Sequence, residues 1–148
     1  MILFLFVFLL GFININARCA INILNDDEQA CANKLNLDGN SVVELYQTNS
    51  DSQVFFEYLA CTWPKLHFVT NDGVILYKNI IRSKSLPWII SRICEDVVQL
   101  IRQTQLDFEK SALYCEKNPP AVANPFTVRK CIAENYKPTP IEDILKQS

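Results

Sequence analysis

One histidine and six cysteines are the residues of this 148-residue chain best equipped for chemistry. A thiol nucleophile needs a base beside it, and His67 is the sole imidazole, so one Cys–His couple is the most this set allows. Mechanisms that need two histidines are excluded. The cysteines stand at Cys19, Cys31, Cys61, Cys94, Cys115 and Cys131. None follows another within ten positions, which excludes Cys-x-x-Cys redox pairs and zinc-ribbon spacing. Asp26-Asp27-Glu28 and Glu142-Asp143 gather carboxylates, but adjacent side chains on a helix diverge, so these runs suit helix starts and not a metal site. Three glycines are too few for a phosphate cradle, and neither the phosphate-loop nor the dinucleotide fingerprint occurs. The expectation is a protein without catalytic residues, metal or cofactor.

The remaining chemistry of the cysteines is oxidation, and the start of the chain speaks for it. Residues 1–12 form an uncharged apolar run, too short for a membrane span of roughly 20 residues and followed by a small residue, Ala17, where a signal peptidase could cut. Residues 1–17 are therefore expected to be a signal peptide, and 18–148 a single secreted domain. The alternative is a buried N-terminal helix. All six cysteines fall after Ala17, and an even number in an oxidising compartment argues for disulfides while leaving their pairing open. A net charge of −2, with no run of four Lys or Arg, excludes a basic nucleic-acid footprint, and no later segment is long enough for membrane insertion.

The elements that must position these residues read as helices. Helix-start carboxylates open one over 26–35. Ser41-Val42-Val43-Glu44 has capping-box spacing, with a short helix to Gln47. Asp51 or Ser52 caps a third helix carrying Phe55, Phe56, Leu59 and Trp63, ended by Pro64. Asn71-Asp72-Gly73 is a turn, followed by a short helix over 74–81. Pro87 opens a helix whose stripe is Ile90, Cys94, Val97, Val98 and Ile101. A further helix includes 108–114, and Asn124-Pro125 opens the last core helix through Val128, Cys131 and Ile132. Ile141, Ile144 and Leu145 form an apolar patch on the tail. The expected fold is all-α, a compact bundle of about six short helices tied by disulfides around an apolar cavity.

Five stretches resemble the insect pheromone and general odorant-binding protein superfamily: Cys31-Ala32-Asn33-Lys34-Leu35, Phe56-Glu57-Tyr58-Leu59-Ala60-Cys61, Asn71-Asp72-Gly73-Val74-Ile75, Ala112-Leu113-Tyr114-Cys115 and Val128-Arg129-Lys130-Cys131. The resemblance spans roughly Asp26 to Asn135. Two of the family's six cysteines are absent: one would stand at Glu57, four before Cys61, and the other near Val122, nine before Cys131. Their joint loss resembles the reduced-cysteine branch. The resemblance implies bridges Cys31–Cys61 and Cys115–Cys131. Cys19 and Cys94 match nothing in the pattern. A third bridge between them is expected, pinning the N-terminal segment to the Cys94 stripe, against two free thiols or an intermolecular link from Cys19.

What the resemblance implies is a non-catalytic secreted carrier for a small hydrophobic ligand, with a membrane receptor as a further partner and a monomer or weak dimer as its assembly. The candidate wall residues are Phe55, Leu59, Phe68, Leu76, Ile80, Trp88, Val97, Ile101, Leu113, Phe126 and Val128, each of which also suits plain core packing. Tyr58, Tyr114 and Tyr136 are candidate hydroxyl donors, and His67 is a loop or rim residue suited to tuning ligand release with pH. Two rival readings stand beside this one. A salivary relative would sequester host biogenic amines or lipid mediators, and a cationic amine calls for a buried carboxylate, for which Glu57 is the candidate. A secreted protein-interaction factor would have a filled core.

Overall fold

The computed structural model describes the backbone of residues 19–21, 24–83, 92–94 and 98–146, and the side chains of 24–83, 102–144 and 146. The expected signal peptide therefore lies outside the described residues. In chain order the elements are β1 (Cys19–Ile21), α1 (Asp26–Lys34), α2 (Gly39–Gln47), α3 (Gln53–Lys65), α4 (Tyr77–Arg82), β2 (Arg92–Cys94), α5 (Val98–Lys117), α6 (Pro125–Asn135) and α7 (Ile141–Leu145). The fold is all-α in class, with one two-stranded antiparallel ribbon. α3 packs on α1 and α6, and α5 packs on α4, α6 and α7.

Polar residues set the helix starts. Asn25 accepts a hydrogen bond from the Glu28 amide at 2.9 Å and the Glu28 carboxylate accepts from the Asn25 amide at 2.9 Å, closing a capping box before α1. At α2 the cap is Asp38 and not Ser41. Its carboxylate accepts from the Ser41 amide at 2.7 Å and the Ser41 hydroxyl at 2.8 Å, which makes Ser41 the donor three positions inside a helix that begins earlier. Ser52 caps α3, and Asn124 caps α6 with Pro125 in the first turn. Pro64 stands inside the last turn of α3, which runs on to Lys65. The carbonyl that loses its helical partner to it belongs to Ala60, on the exposed side.

Three helices end in the same way without glycine. After α3, the His67 amide donates to the Pro64 carbonyl at 3.1 Å and the Phe68 amide to the Trp63 carbonyl at 2.9 Å, with His67 in the left-handed region at φ 58°. The Trp63 and Phe68 rings meet edge to face at 5.8 Å, the apolar contact that accompanies this Schellman geometry. Asn36 and Asn49 hold the equivalent left-handed positions after α1 and α2.

Three expectations for the middle of the chain are corrected. α4 begins at Tyr77 rather than Val74, because Val74 and Ile75 are held extended. Val69 pairs with Ile75 across the Asn71-Asp72-Gly73 turn, and the Thr70 amide bonds the Val74 carbonyl at 2.9 Å. Cys94 lies on a strand, not a helix: β2 runs antiparallel to β1 with Cys19 and Cys94 as direct Cα partners. Pro87 to Ile90 lie outside the described residues. From Val98 onward, the end of that expected helix and the helix expected over 108–114 are one, the 20-residue α5.

The core collects at helical spacing. α3 contributes Phe55, Tyr58, Leu59, Thr62 and Trp63, and α5 contributes Thr104, Asp107, Phe108, Ser111, Ala112 and Cys115. Disulfides join Cys31 to Cys61, linking α1 to α3, and Cys115 to Cys131, linking α5 to α6. These are the two pairings that the resemblance implies. Among the described residues no helix is long and apolar enough to cross a membrane.

Candidate functional site

Of the expected wall residues, Phe55, Leu59, Phe68, Ile80 and Val128 are buried in one cluster, while Leu76 and Phe126 are half-buried. Leu113 is 36% exposed and faces outward. Helical rotation explains the correction: Phe108 and Ala112, four apart, take the inward positions, and Leu113 falls about 100° further round. Trp88 and Val97 lie outside the described residues, as does the side chain of Ile101.

The centre of the cluster is aromatic. Tyr46 meets Phe55 at 5.0 Å and Tyr58 at 6.1 Å, both nearly perpendicular, and Phe126 meets Phe55 at 6.3 Å. Phe56 sits at the edge of this group, 5.9 Å from Phe126. Tyr58 is fully buried and its hydroxyl has no hydrogen-bond partner. Tyr114 is exposed, and Tyr136 is half-buried and hydrogen-bonded to Thr104. Burial, then the neighbouring Tyr46 and Glu28, push the Tyr58 phenol well above its ordinary range.

Glu57 is not a buried carboxylate, whereas Glu28 is one. Glu57 is exposed and accepts a bond from Gln53 at 3.0 Å along its own helix. Glu28 is 2% exposed. One of its oxygens closes the capping box of α1, whereas Oε1 is buried without a partner. Burial raises its pKa, only partly opposed by the Asn25 amide. Its influence reaches both Tyr46 and Tyr58, so the three side chains share one neighbourhood.

Arg129 on α6 is buried to the same degree, and it serves the end of α2. Its Nη1 donates to Asn49 Oδ1 and its Nη2 to the Tyr46 carbonyl, each at 2.9 Å. The guanidinium carbon lies 5.4 Å from the Tyr46 ring centre and 5.8 Å from that of Phe55. A cation thus sits where the last carbonyls of a helix gather negative potential. Burial, partly offset by Tyr46, lowers its pKa to about 10, so it stays charged at neutral pH.

The third polar place ties down the tail. Asp107 on α5 is buried and accepts from the Thr139 amide at 2.7 Å, the Thr139 hydroxyl at 3.0 Å and Gln103 Nε2 at 3.0 Å. Burial pushes the Asp107 pKa up, but these bonds together with Lys110 outweigh it and hold the carboxyl below the usual range. Beyond the clasp, Ile144 is buried while Ile141 is exposed, and the side chain of Leu145 lies outside the described residues. A surface hollow of about 380 Å³ opens beside the clasp, between Ser111, Asn135 and Lys137. Another of about 280 Å³ lies between Ile81 and Arg82 of α4 and Arg102 and Leu106 of α5.

His67 is exposed, and its carbonyl accepts from Asn79 Nδ2 at 2.7 Å, which ties the end of α3 to α4. Comparison with protein-family models, with curated proteins and with solved structures returned no match.

Glu28, Arg129 and Asp107 escaped the sequence reading. Glu28 already had a sufficient local explanation as a helix-start carboxylate, which hid its second, inward oxygen. Arg129 has one signal: with Val128 and Ile132 it occupies the three- and four-residue spacing of a buried face.

Proposed function

We propose that this chain is a non-catalytic, secreted carrier for a small hydrophobic ligand, of the reduced-cysteine odorant-binding type. The observation that carries the reading is the disulfide connectivity. Cys31–Cys61 and Cys115–Cys131 are the pairings expected of that branch, here tying α1 to α3 and α5 to α6 in an all-helical domain. Disulfides also fit an oxidising, extracellular setting. Cross-linked helices depend less on a fully filled core, which favours a fold that leaves room for a guest. Binding would draw on burial of ligand surface at about 25 cal/mol per Å² against Phe55, Leu59, Phe68, Ile80 and Val128, less the cost of immobilising the ligand. The side chains assigned to the wall are apolar, and the polar groups among them are few, as orientation of a small guest requires.

The test is native mass spectrometry with displacement of a fluorescent apolar probe from the purified protein, across lipids, odorants and amines. One ligand per chain with displacement of the probe is the expected result. Failure of every apolar compound to bind would reject the carrier. A secreted interaction factor is the second reading. The packing that favours it is the interlocked set of Tyr46, Phe55, Phe126 and Arg129, which fills its part of the core without a guest.

A further inference from the structure

Glu28 Oε1 and the Tyr58 hydroxyl are buried polar atoms without a hydrogen-bond partner. Such atoms are uncommon in folded proteins, because each gives up its water and receives nothing in return. Both stand on helices that the Cys31–Cys61 bridge fixes against each other. Each lies three residues before its helix's bridging cysteine, so the pair sits within one turn of the staple on both sides. They interact electrostatically, yet they do not bond to one another. Each atom therefore keeps its hydrogen-bonding capacity for a further polar group.

The chemistry of that group follows from what surrounds it. Glu28 makes no ion pair among the described residues; the nearby cation Lys65 is engaged at the surface by Asp27 at 3.0 Å. Arg129 directs both Nη atoms to the end of α2. Glu28 Oε1 therefore lacks a donor. The buried apolar and aromatic side chains of the core include Leu24, Ala32, Tyr46 and Leu59. We propose that Glu28 Oε1 and the Tyr58 hydroxyl form the polar end of a buried ligand site, which takes an O–H or N–H donor carried on an apolar body. The donor is given to Glu28, and the phenol of Tyr58 donates to an alcohol oxygen or accepts from an ammonium group.

This inference deepens the carrier reading and rests on it. Its test separates the two. The full chain is titrated calorimetrically with three ligands of matched length: nonanol, nonylamine and methyl octyl ether. The ether is an isomer of the alcohol that has no donor. Nonanol, nonylamine or both should bind about tenfold more tightly than the ether, which corresponds to one hydrogen-bonding group properly met. Whichever of the two leads identifies the head group as hydroxyl or ammonium. The Glu28→Gln variant retains the capping oxygen and should lose the margin for nonylamine, and Tyr58→Phe should reduce the margin for nonanol. Melting curves establish that each variant is folded, and the wild-type series decides the question even where a variant is not. Equal affinity for ether, alcohol and amine would overturn the proposal, leaving the pair to hold an ordered water only while the carrier stands. Absence of binding by all three would overturn both.

Discussion

Replacing Arg129 by Met tests how the core is held together. The substitution keeps an unbranched side chain of similar length and removes the guanidinium that joins α6 to the end of α2. The hydrogen bonds to Asn49 Oδ1 and the Tyr46 carbonyl, both at 2.9 Å, are lost. Bonds from a charged donor contribute about 1.5–3 kcal/mol each. The contacts over the Tyr46 and Phe55 rings add about 0.5–1 kcal/mol each. Against this, the variant no longer buries a cation, and that relief offsets a substantial part of the loss. Asn49 is half-buried and can turn to water, but the Tyr46 carbonyl is left with weaker backbone donors, among them the Asn49 amide at 3.3 Å. The net expectation is a destabilisation of about 3 kcal/mol, or a melting point lower by about 10 °C. Urea unfolding followed by circular dichroism measures it, provided the denaturant slope is unchanged. Arg129→Lys, which keeps the charge and loses the fork, should fall between the two. Amides at residues 49 and 50 should exchange faster in Arg129→Met than in the parent. A loss below about 0.5 kcal/mol would refute the reasoning, since the bonds would then be worth no more than the burial of the charge.

Three further outcomes are expected. His67→Gly should raise stability by about 1 kcal/mol, because glycine accepts φ 58° without the steric cost that a side chain meets; a lower melting point would show that the imidazole contributes contacts of its own. Asp107 has a depressed pKa in the fold, so its contribution is present above the ordinary aspartate value and disappears as pH falls through the lower folded value; amides of residues 139–146 should lose exchange protection in that acid range, and Asp107→Asn should remove the pH dependence. Cys19 and Cys94 stand opposite each other on antiparallel strands, where Cα separations of about 4.5–5.5 Å suit a disulfide, so intact mass after alkylation without reductant should show no modified thiol; two alkylated cysteines would rule the third bridge out.

Elements whose ends are announced locally were legible in the sequence. Asn124-Pro125 and Ser52 mark the starts of α6 and α3 by the hydrogen bonds they make to the next turn, and the spacing of Phe55, Leu59 and Trp63 marks the buried face. Ser41 misled because its own environment fits a cap, while Asp38, three residues earlier, fits better. Cys94 misled for a different reason. An apolar stripe around it has helical spacing, but its strand owes its existence to residues 19–21, more than seventy positions away, and periodicity carries no trace of such a partner. The same division holds at the site. Phe55, Leu59, Ile80 and Val128 follow from pattern, whereas Leu113 depends on where α5 begins and hence on its rotation. Glu28 is the instructive case. A side chain with two oxygens can satisfy a helix end with one and leave the other to the interior, and the sequence displays only the first task.

The clasp between Asp107 and Thr139 spans 32 residues and encloses the Cys115–Cys131 bridge, which spans 16. Between the two bridging cysteines, the connection from α5 to α6 passes over the surface, with Val122 71% exposed. A protease that cuts there divides the polypeptide without dividing the molecule. The two fragments remain joined covalently through sulfur and held again by the buried aspartate, so nicked protein migrates as one species until a reductant is added. A single cut at this exposed connection would leave the protein's mass and its helical framework in place.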